Sequence, residues 1–282
     1  MDKTTLHHII NLAITEDIGD GDHSSLACIP KNKKGKSKLL IKEEGILAGV
    51  EEAEMIFHKI DHNISLDKNL PDGQKVKPGD IAFTVEGKIR SLLQSERLVL
   101  NIMQRMSGIA TSTSTYTEKL KGLKTKVLDT RKTTPGLRYF EKKAVELGGG
   151  MNHRMGLYDM IMLKDNHIDF AGGISQAIRK TLKYLHKKEK HLKIEIEARN
   201  LGEVEEILSV GGIDRIMLDN FTLEDTRRAI KMIDGQFETE SSGGITLETI
   251  RDYAECGVDF VSVGALTHQI KSLDMSLKAI DF

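Results

Sequence analysis

The chain has 282 residues, a formal net charge of -1, 39% hydrophobic and 29% charged residues. That length suggests two domains and a sizeable core, and the composition excludes a disordered or fibrous protein. The near-zero charge supplies no global attraction for nucleic acid or a membrane surface, so any basic site must be local.

Two cysteines, Cys28 and Cys256, sit in unrelated contexts without metal-ligand spacing. This argues against a disulfide framework or structural zinc and fits a reducing cytoplasm. No apolar run approaches the roughly 20 residues that span a bilayer. The amino terminus MDKTTLHHII lacks the order of a signal peptide, so the chain reads as soluble and unprocessed.

Leu6, Ile9, Ile10, Ala13 and Ile14 repeat at helical spacing and predict an opening amphipathic helix, which DIGDGDHSS breaks. SKLLIKEEGILAGV reads as strand and turn, EEAEMIFHKI as helix, and NISLDKNLPDGQKVKPGDIAFTVEGKI as strands around tight turns. A longer helix is expected from about Ser91 through SERLVLNIMQRMSG. These segments predict a small mixed domain over residues 1–107.

Over residues 108–269 short apolar strands alternate with amphipathic helices: TKVLDT, MIMLK, KIEIEA, RIMLD, FETESS and FVSVGA, each but the last followed by a helical pattern. Serial βα punctuation signals a parallel sheet, closed into a barrel or left open. In the tail LDMSLKAI, Leu273, Met275 and Leu277 alternate, which fits either a strand over 270–282 returning to the small domain or a last amphipathic helix.

In parallel α/β barrels the carboxyl ends of the strands build the active site, and here those positions are polar. Alternation in KIEIEA turns Glu195 and Glu197 inward if Ile194 and Ile196 face the helices. The same parity pairs Met217 with Asp219, Asp129 with Arg131, and Ser262 with Gly264. Glu197 and Asp219 suit ribose hydroxyls, a magnesium ion or a developing positive charge. ESSGGI and VGALTH place small residues before helices, where backbone N–H groups and the helix dipole would receive a phosphate.

Arg131, Lys132, His153, Arg154 and Lys164 stand beside turn glycines or strand ends, where side chains are displayed rather than packed. Two like charges about 4 Å apart repel by roughly 4 kcal/mol at an effective dielectric near 20. Convergence of these cations therefore implies a polyanionic ligand. Taken singly, a lone Arg or Lys at a strand end is more often solvated, and His153 and His167 are more often structural hydrogen-bonders.

In order, DTRKTTPGLR, NHRMGLYDMIMLKDNHI, IEIEA, IMLDNF, SSGGI and SVGALTH, with ERLVLNIMQRMSGIAT before them, closely resemble the quinolinate phosphoribosyltransferase family. The resemblance implies an N-terminal α/β sandwich domain, an open α/β barrel of parallel strands, and a homodimer. It implies transfer of phosphoribose from 5-phosphoribosyl-1-pyrophosphate to quinolinate with release of pyrophosphate and carbon dioxide, giving nicotinate mononucleotide. Magnesium accompanies the pyrophosphate substrate and no organic cofactor is expected.

The resemblance also carries over site residues. Arg131, Lys132, His153, Arg154 and Lys164 become substrate ligands, and Arg97 is lent by the neighbouring subunit. Glu197 and Asp219 lie near ribose and magnesium, with Glu195 sharing the parity of Glu197. Ser242, Gly243, Gly244 and Gly264 bind phosphate, while Lys132, Lys164, Glu197 and Asp219 are the expected catalytic groups. A paralogue acting on another heteroaromatic acid, or a noncatalytic sensor of phosphorylated metabolites, would carry much of the same pattern.

Overall fold

The computed structural model describes residues 3–280. Its elements begin with α1 (Lys3–Ile18), α2 (His23–Cys28), β1 (Lys34–Ile41), β2 (Gly45–Ile46), α3 (Val50–Ile60), β3 (Ser65–Lys68), β4 (Lys75–Val76), β5 (Ile81–Lys88) and α4 (Ile89–Lys119). They continue with β6 (Lys126–Leu128), α5 (Arg138–Leu147), β7 (Ile161–Leu163), α6 (Asp165–Ala171), α7 (Ile174–Lys188), β8 (Ile194–Ala198) and α8 (Leu201–Val210). The last are β9 (Arg215–Asp219), α9 (Leu223–Ile233), β10 (Glu238–Ser242), α10 (Ile250–Glu255), β11 (Phe260–Ser262), α11 (Ala265–His268) and β12 (Met275–Ile280). Among the described residues no helix is long and apolar enough to cross a membrane.

Two compact units result. One takes the chain through Ser114, the segment Thr133–Gly149 and everything from Leu266; the other takes Thr115–Lys132 and Gly150–Ala265. The boundary expected between residues 107 and 108 falls inside α4, which runs unbroken for 31 residues. The segment holding α5 belongs to the first unit although it follows the first parallel strand.

The first unit is built on an antiparallel sheet in the order β12-β1-β5-β3. Alternation along β1 and β5 buries Leu39, Ile41, Val85 and Phe83, the pattern of strands with one covered face. On α3, Val50, Ala53, Ile56 and Phe57 recur at helical spacing and are buried, and Phe57 meets Phe83 edge to face with centroids 6.0 Å apart. Gly49 precedes α3 with a φ of 99°, and the Asp72 carboxylate supplies the missing cap by accepting the Val50 N–H at 2.9 Å. The break after α1 is shorter than expected, because Asp22 accepts the Ser25 N–H and starts α2. The tail is a strand: β12 pairs antiparallel with β1, Leu39 opposite Leu277.

The second unit carries a six-stranded parallel sheet in the order β6-β11-β10-β9-β8-β7. β6 and β7 stand at its two edges, so of the closed and open alternatives the sheet is the open one. Beyond β6, Met151 runs alongside as a single parallel bridge to Leu128. Helices α8 and α9 start at side-chain caps, Asn200 to the Glu203 N–H and Thr222 to the Asp225 N–H. All the carboxyl ends of these strands lie at one end of the sheet, and that end gathers the polar residues.

Candidate active site

The inward parity read for β8 holds. Glu195 and Glu197 are both buried, as are Ile194 and Ile196 on the opposite face. The two glutamates nonetheless sit in different places. Glu197 is one residue from the end of β8; Lys164 Nζ approaches its Oε2 at 3.6 Å and the Asp165 N–H donates to the same oxygen at 3.3 Å. Burial pushes the Glu197 carboxyl up, the Lys164 ammonium opposes this, and the nearby Asp219 charge adds to the rise.

Lys164 itself is oriented by its neighbour. It follows β7, and its N–H donates to His167 Nδ1 at 3.0 Å as α6 begins. His167 therefore has the structural role expected of it. Asp219 ends β9 opposite Ser242 of β10, and its Oδ2 accepts from the Asn220 side chain at 2.7 Å. Lys164, Glu197, Asp219 and Ser242 thus come together at the carboxyl end of neighbouring strands.

Turn geometry shapes the next segment. Gly243 and Gly244 have φ of 97° and 61°, conformations that favour glycine. A Cβ on Gly243 would collide with the Asn220 side chain and come within 2.9 Å of its backbone nitrogen, whereas Gly244 opens onto free space. Asn220, itself left-handed at 55°, donates its N–H to the Ser242 carbonyl at 2.8 Å. One expectation is corrected here: α10 starts only at Ile250, so residues Ile245 to Thr249 separate the glycines from the helix and its dipole does not act on them directly. Gly264, by contrast, directly precedes the short α11.

The parity assigned to Asp129 and Arg131 is also corrected, because β6 ends at Leu128 and strand alternation stops there. Asp129 is wholly buried and its Oδ1 accepts the His153 N–H at 2.8 Å. Arg131 is half-buried, and its Nε has no hydrogen-bond partner among the described residues. Arg154 is held below its usual proton affinity by burial first and by the Arg131 charge second, so two guanidiniums lie near one another. Lys132 is exposed in the same loop, its N–H donating to Thr130 Oγ1. Arg97 is exposed on α4 in the other unit.

Beneath this layer lies a polar cluster that the sequence reading missed in part. His153 Nδ1 accepts the Arg154 N–H at 2.7 Å. The opposite ring nitrogen, Nε2, lies 2.9 Å from Glu195 Oε2, off-line for its N–H, and 3.5 Å from Glu240 Oε2. Arg215 donates through Nη1 to Glu240 at 3.1 Å and through Nη2 to Glu238 at 3.0 Å, with its guanidinium 4.0 Å over the Phe260 ring. Burial raises both the Glu195 and Glu240 carboxyls; Arg215 eases the first, while the Glu195 charge raises the second further. Glu240 and Arg215 share the parity of Ser242 and Asp219 on their own strands, and that signal would have found them.

The model of the quinolinate phosphoribosyl transferase C-terminal domain matches residues 109–278 and that of the N-terminal domain matches 22–107. The chain is 44% identical over 97% of its length to quinolinate phosphoribosyltransferase [decarboxylating] 1b of Nicotiana tabacum, covering 82% of that protein. It is 39% identical over 98% of its length to the probable nicotinate-nucleotide pyrophosphorylase [carboxylating] of Bacillus subtilis, covering 94% of it. Among solved structures it is similar to NadC from Streptococcus pyogenes, with a TM-score of 0.92 and 39% identity, covering 100% of this chain and 99% of that one.

Proposed function

The chain belongs to the quinolinate phosphoribosyltransferase family, and from that premise we propose that it joins quinolinate to 5-phosphoribosyl-1-pyrophosphate with loss of carbon dioxide, yielding nicotinate mononucleotide for NAD synthesis. The observation that carries this reading is the Arg131 and Arg154 pair, two neighbouring half-buried guanidiniums of which one leaves a buried Nε without a partner. Such donors demand an anion, and a planar fork binds a carboxylate in two places at once.

In this reading Arg131 and Arg154 take the two adjacent carboxylates of quinolinate, with Arg97 of a second copy completing the grip in a homodimer. His153 lies beneath them and supports the wall. Ser242, Gly243, Gly244 and Gly264 present backbone donors to the phosphate monoester of the ribose. Lys132 and Lys164 face the departing pyrophosphate. The ring nitrogen is then set to bond to the anomeric carbon as the carbon–oxygen bond to pyrophosphate breaks, and the positive charge developing on the ribose meets Glu197 and Asp219.

The two carboxylates also suit magnesium, a hard cation that takes one or two carboxylates together with substrate phosphates; their mutual repulsion at the end of β8 and β9 fits that donor role. When bound, the ion would neutralise charge on pyrophosphate. Once ribosylated, the pyridinium draws electrons from the adjacent carboxylate, so carbon dioxide leaves and the ring carbon takes a proton without an added organic cofactor. Barrier lowering of at least roughly 8 kcal/mol is required of an enzyme, within reach of orientation and preorganised charge. A cytoplasmic setting agrees with the two free thiols of Cys28 and Cys256.

Purified protein mixed with quinolinate, 5-phosphoribosyl-1-pyrophosphate and magnesium should release carbon dioxide and a mononucleotide. Ligand binding without turnover, or turnover of another heteroaromatic acid alone, would overturn the assignment.

A further inference from the structure

In the polar cluster under the candidate site, Glu240 and Arg215 have no role in the reaction as outlined above. Glu240 is wholly buried in the sheet interior. Its Oε2 lies 3.1 Å from Arg215 Nη1 and 3.5 Å from His153 Nε2, linking a guanidinium to an imidazole. A buried ion pair of this kind is often no more stable than apolar side chains of similar volume. Cohesion alone is therefore a poor reason for it.

What the cluster does fix is one peptide. The His153 N–H is held by Asp129 Oδ1 at 2.8 Å, and the Arg154 N–H by His153 Nδ1 at 2.7 Å. An imidazole that accepts at Nδ1 carries its proton at Nε2, and Nε2 stands 2.9 Å from Glu195 Oε2, off-line for its N–H, and 3.5 Å from Glu240 Oε2, close enough for the two carboxyls to act on it electrostatically. The Arg154 side chain is then steadied at its far end, where Nη1 donates to the Met160 carbonyl at 3.3 Å. Rotation of the ring would release the Arg154 N–H.

We propose that Glu240, anchored by Arg215, is a positioning residue for quinolinate: with Glu195 it holds the His153 imidazole in the one orientation that fixes the Arg154 main chain, and so aims the Arg154 guanidinium. The inference rests on the reading of Arg154 as a quinolinate ligand and assigns Glu240 no contact with substrate.

The test is steady-state kinetics of the full-length protein and its Glu240→Leu and Glu240→Gln variants, varying each substrate in turn. Glu240→Leu should raise KM for quinolinate about tenfold or more, since small misplacements of a binding group carry losses of that order. The KM for 5-phosphoribosyl-1-pyrophosphate should stay within about twofold, and Glu240→Gln, which keeps an oxygen in place, should restore quinolinate KM to within about threefold. An unchanged quinolinate KM in Glu240→Leu, or a parallel rise for both substrates as a loosened sheet would give, overturns the inference.

Should Glu240→Leu fail to fold, nitrogen-15 NMR of the His153 ring in the unaltered protein decides. Protonation at Nε2 with a bare Nδ1 supports the arrangement, and a proton on Nδ1 overturns it. An unaltered protein that makes no mononucleotide overturns the functional reading itself, whereas an active one matched by Glu240→Leu overturns this inference alone.

Discussion

The sheets of the two units enclose different groups. In the antiparallel unit Phe57, Phe83, Leu39, Ile41, Met103 and Met106 are wholly or almost wholly enclosed, a hydrocarbon core whose worth grows with the area removed from water. In the parallel unit the strands turn Glu195, Glu197, Glu240 and Arg215 inward, with His153 reaching them from a loop. Each of those groups loses hydration and recovers it only through its partners. The antiparallel sheet encloses hydrocarbon, whereas the parallel sheet, beside its own buried Ile196, Ile216 and Val261, also holds charges at chosen points.

The strongest way to break this comparison is to empty one core. Phe57→Ala should cost about 3–5 kcal/mol of stability, measured by urea unfolding, and a loss under about 1 kcal/mol would mean that the antiparallel core is not close-packed. Next in size, Arg131→Ala should weaken quinolinate binding at least about a hundredfold by calorimetry, roughly 2.7 kcal/mol, while leaving the melting temperature nearly unchanged. Near-normal affinity there would remove the cationic-wall account.

A smaller effect is expected at the turn after β10. Gly243→Ala must push Asn220 aside and hold a left-handed backbone, at about 1–2 kcal/mol. It should raise KM for the phosphoribosyl donor more than for quinolinate. Equal changes in both would show that the turn has no phosphate role.

The smallest effects concern pH and have opposite signs in the two units. In the antiparallel unit the Asn63 N–H holds the Asp61 carboxyl down to about 2, helped by the Asn63 and Ser91 side chains and by Lys88, against its burial. A depressed carboxyl contributes stability above its unfolded value of about 3.9, and this is lost as pH falls from there through about 2. In the parallel unit Glu240 is raised by burial and by the Glu195 charge. Its contribution is fullest below the unfolded value near 4.3 and fades as pH rises through the higher folded one. Melting temperatures across pH should lose the acid-side slope in Asp61→Asn and the slope toward neutrality in Glu240→Gln; unchanged profiles would contradict the assigned signs.

Much of this is legible in the sequence. A period of two in KIEIEA turned both glutamates inward, and that parity survives because β8 is regular over its full length. The same rule failed at DTR because β6 stops at Leu128, and parity means nothing once the backbone leaves the strand. FETESS reads as a strand, and only its two-residue alternation, extended from Ser242, puts Glu240 on the inner face. Met151 beside β6, and the separation of Glu195 from Glu197, depend on contacts between distant segments that no local pattern encodes. Likewise α4 ran on past its apolar stripe through a Thr- and Ser-rich stretch where composition alone predicts no helix.

The pairing of β12 with β1 has a consequence for biogenesis. During synthesis β1 gains β5 early, but its other edge waits until the ribosome has made the whole parallel unit and then β12. Until that moment the nascent chain displays an unpaired strand edge, the kind of template on which neighbouring polypeptides aggregate. Synthesis of β12 is thus the step that completes the first-made sheet, and a ribosome stalled before it would leave the β1 edge for chaperones to guard.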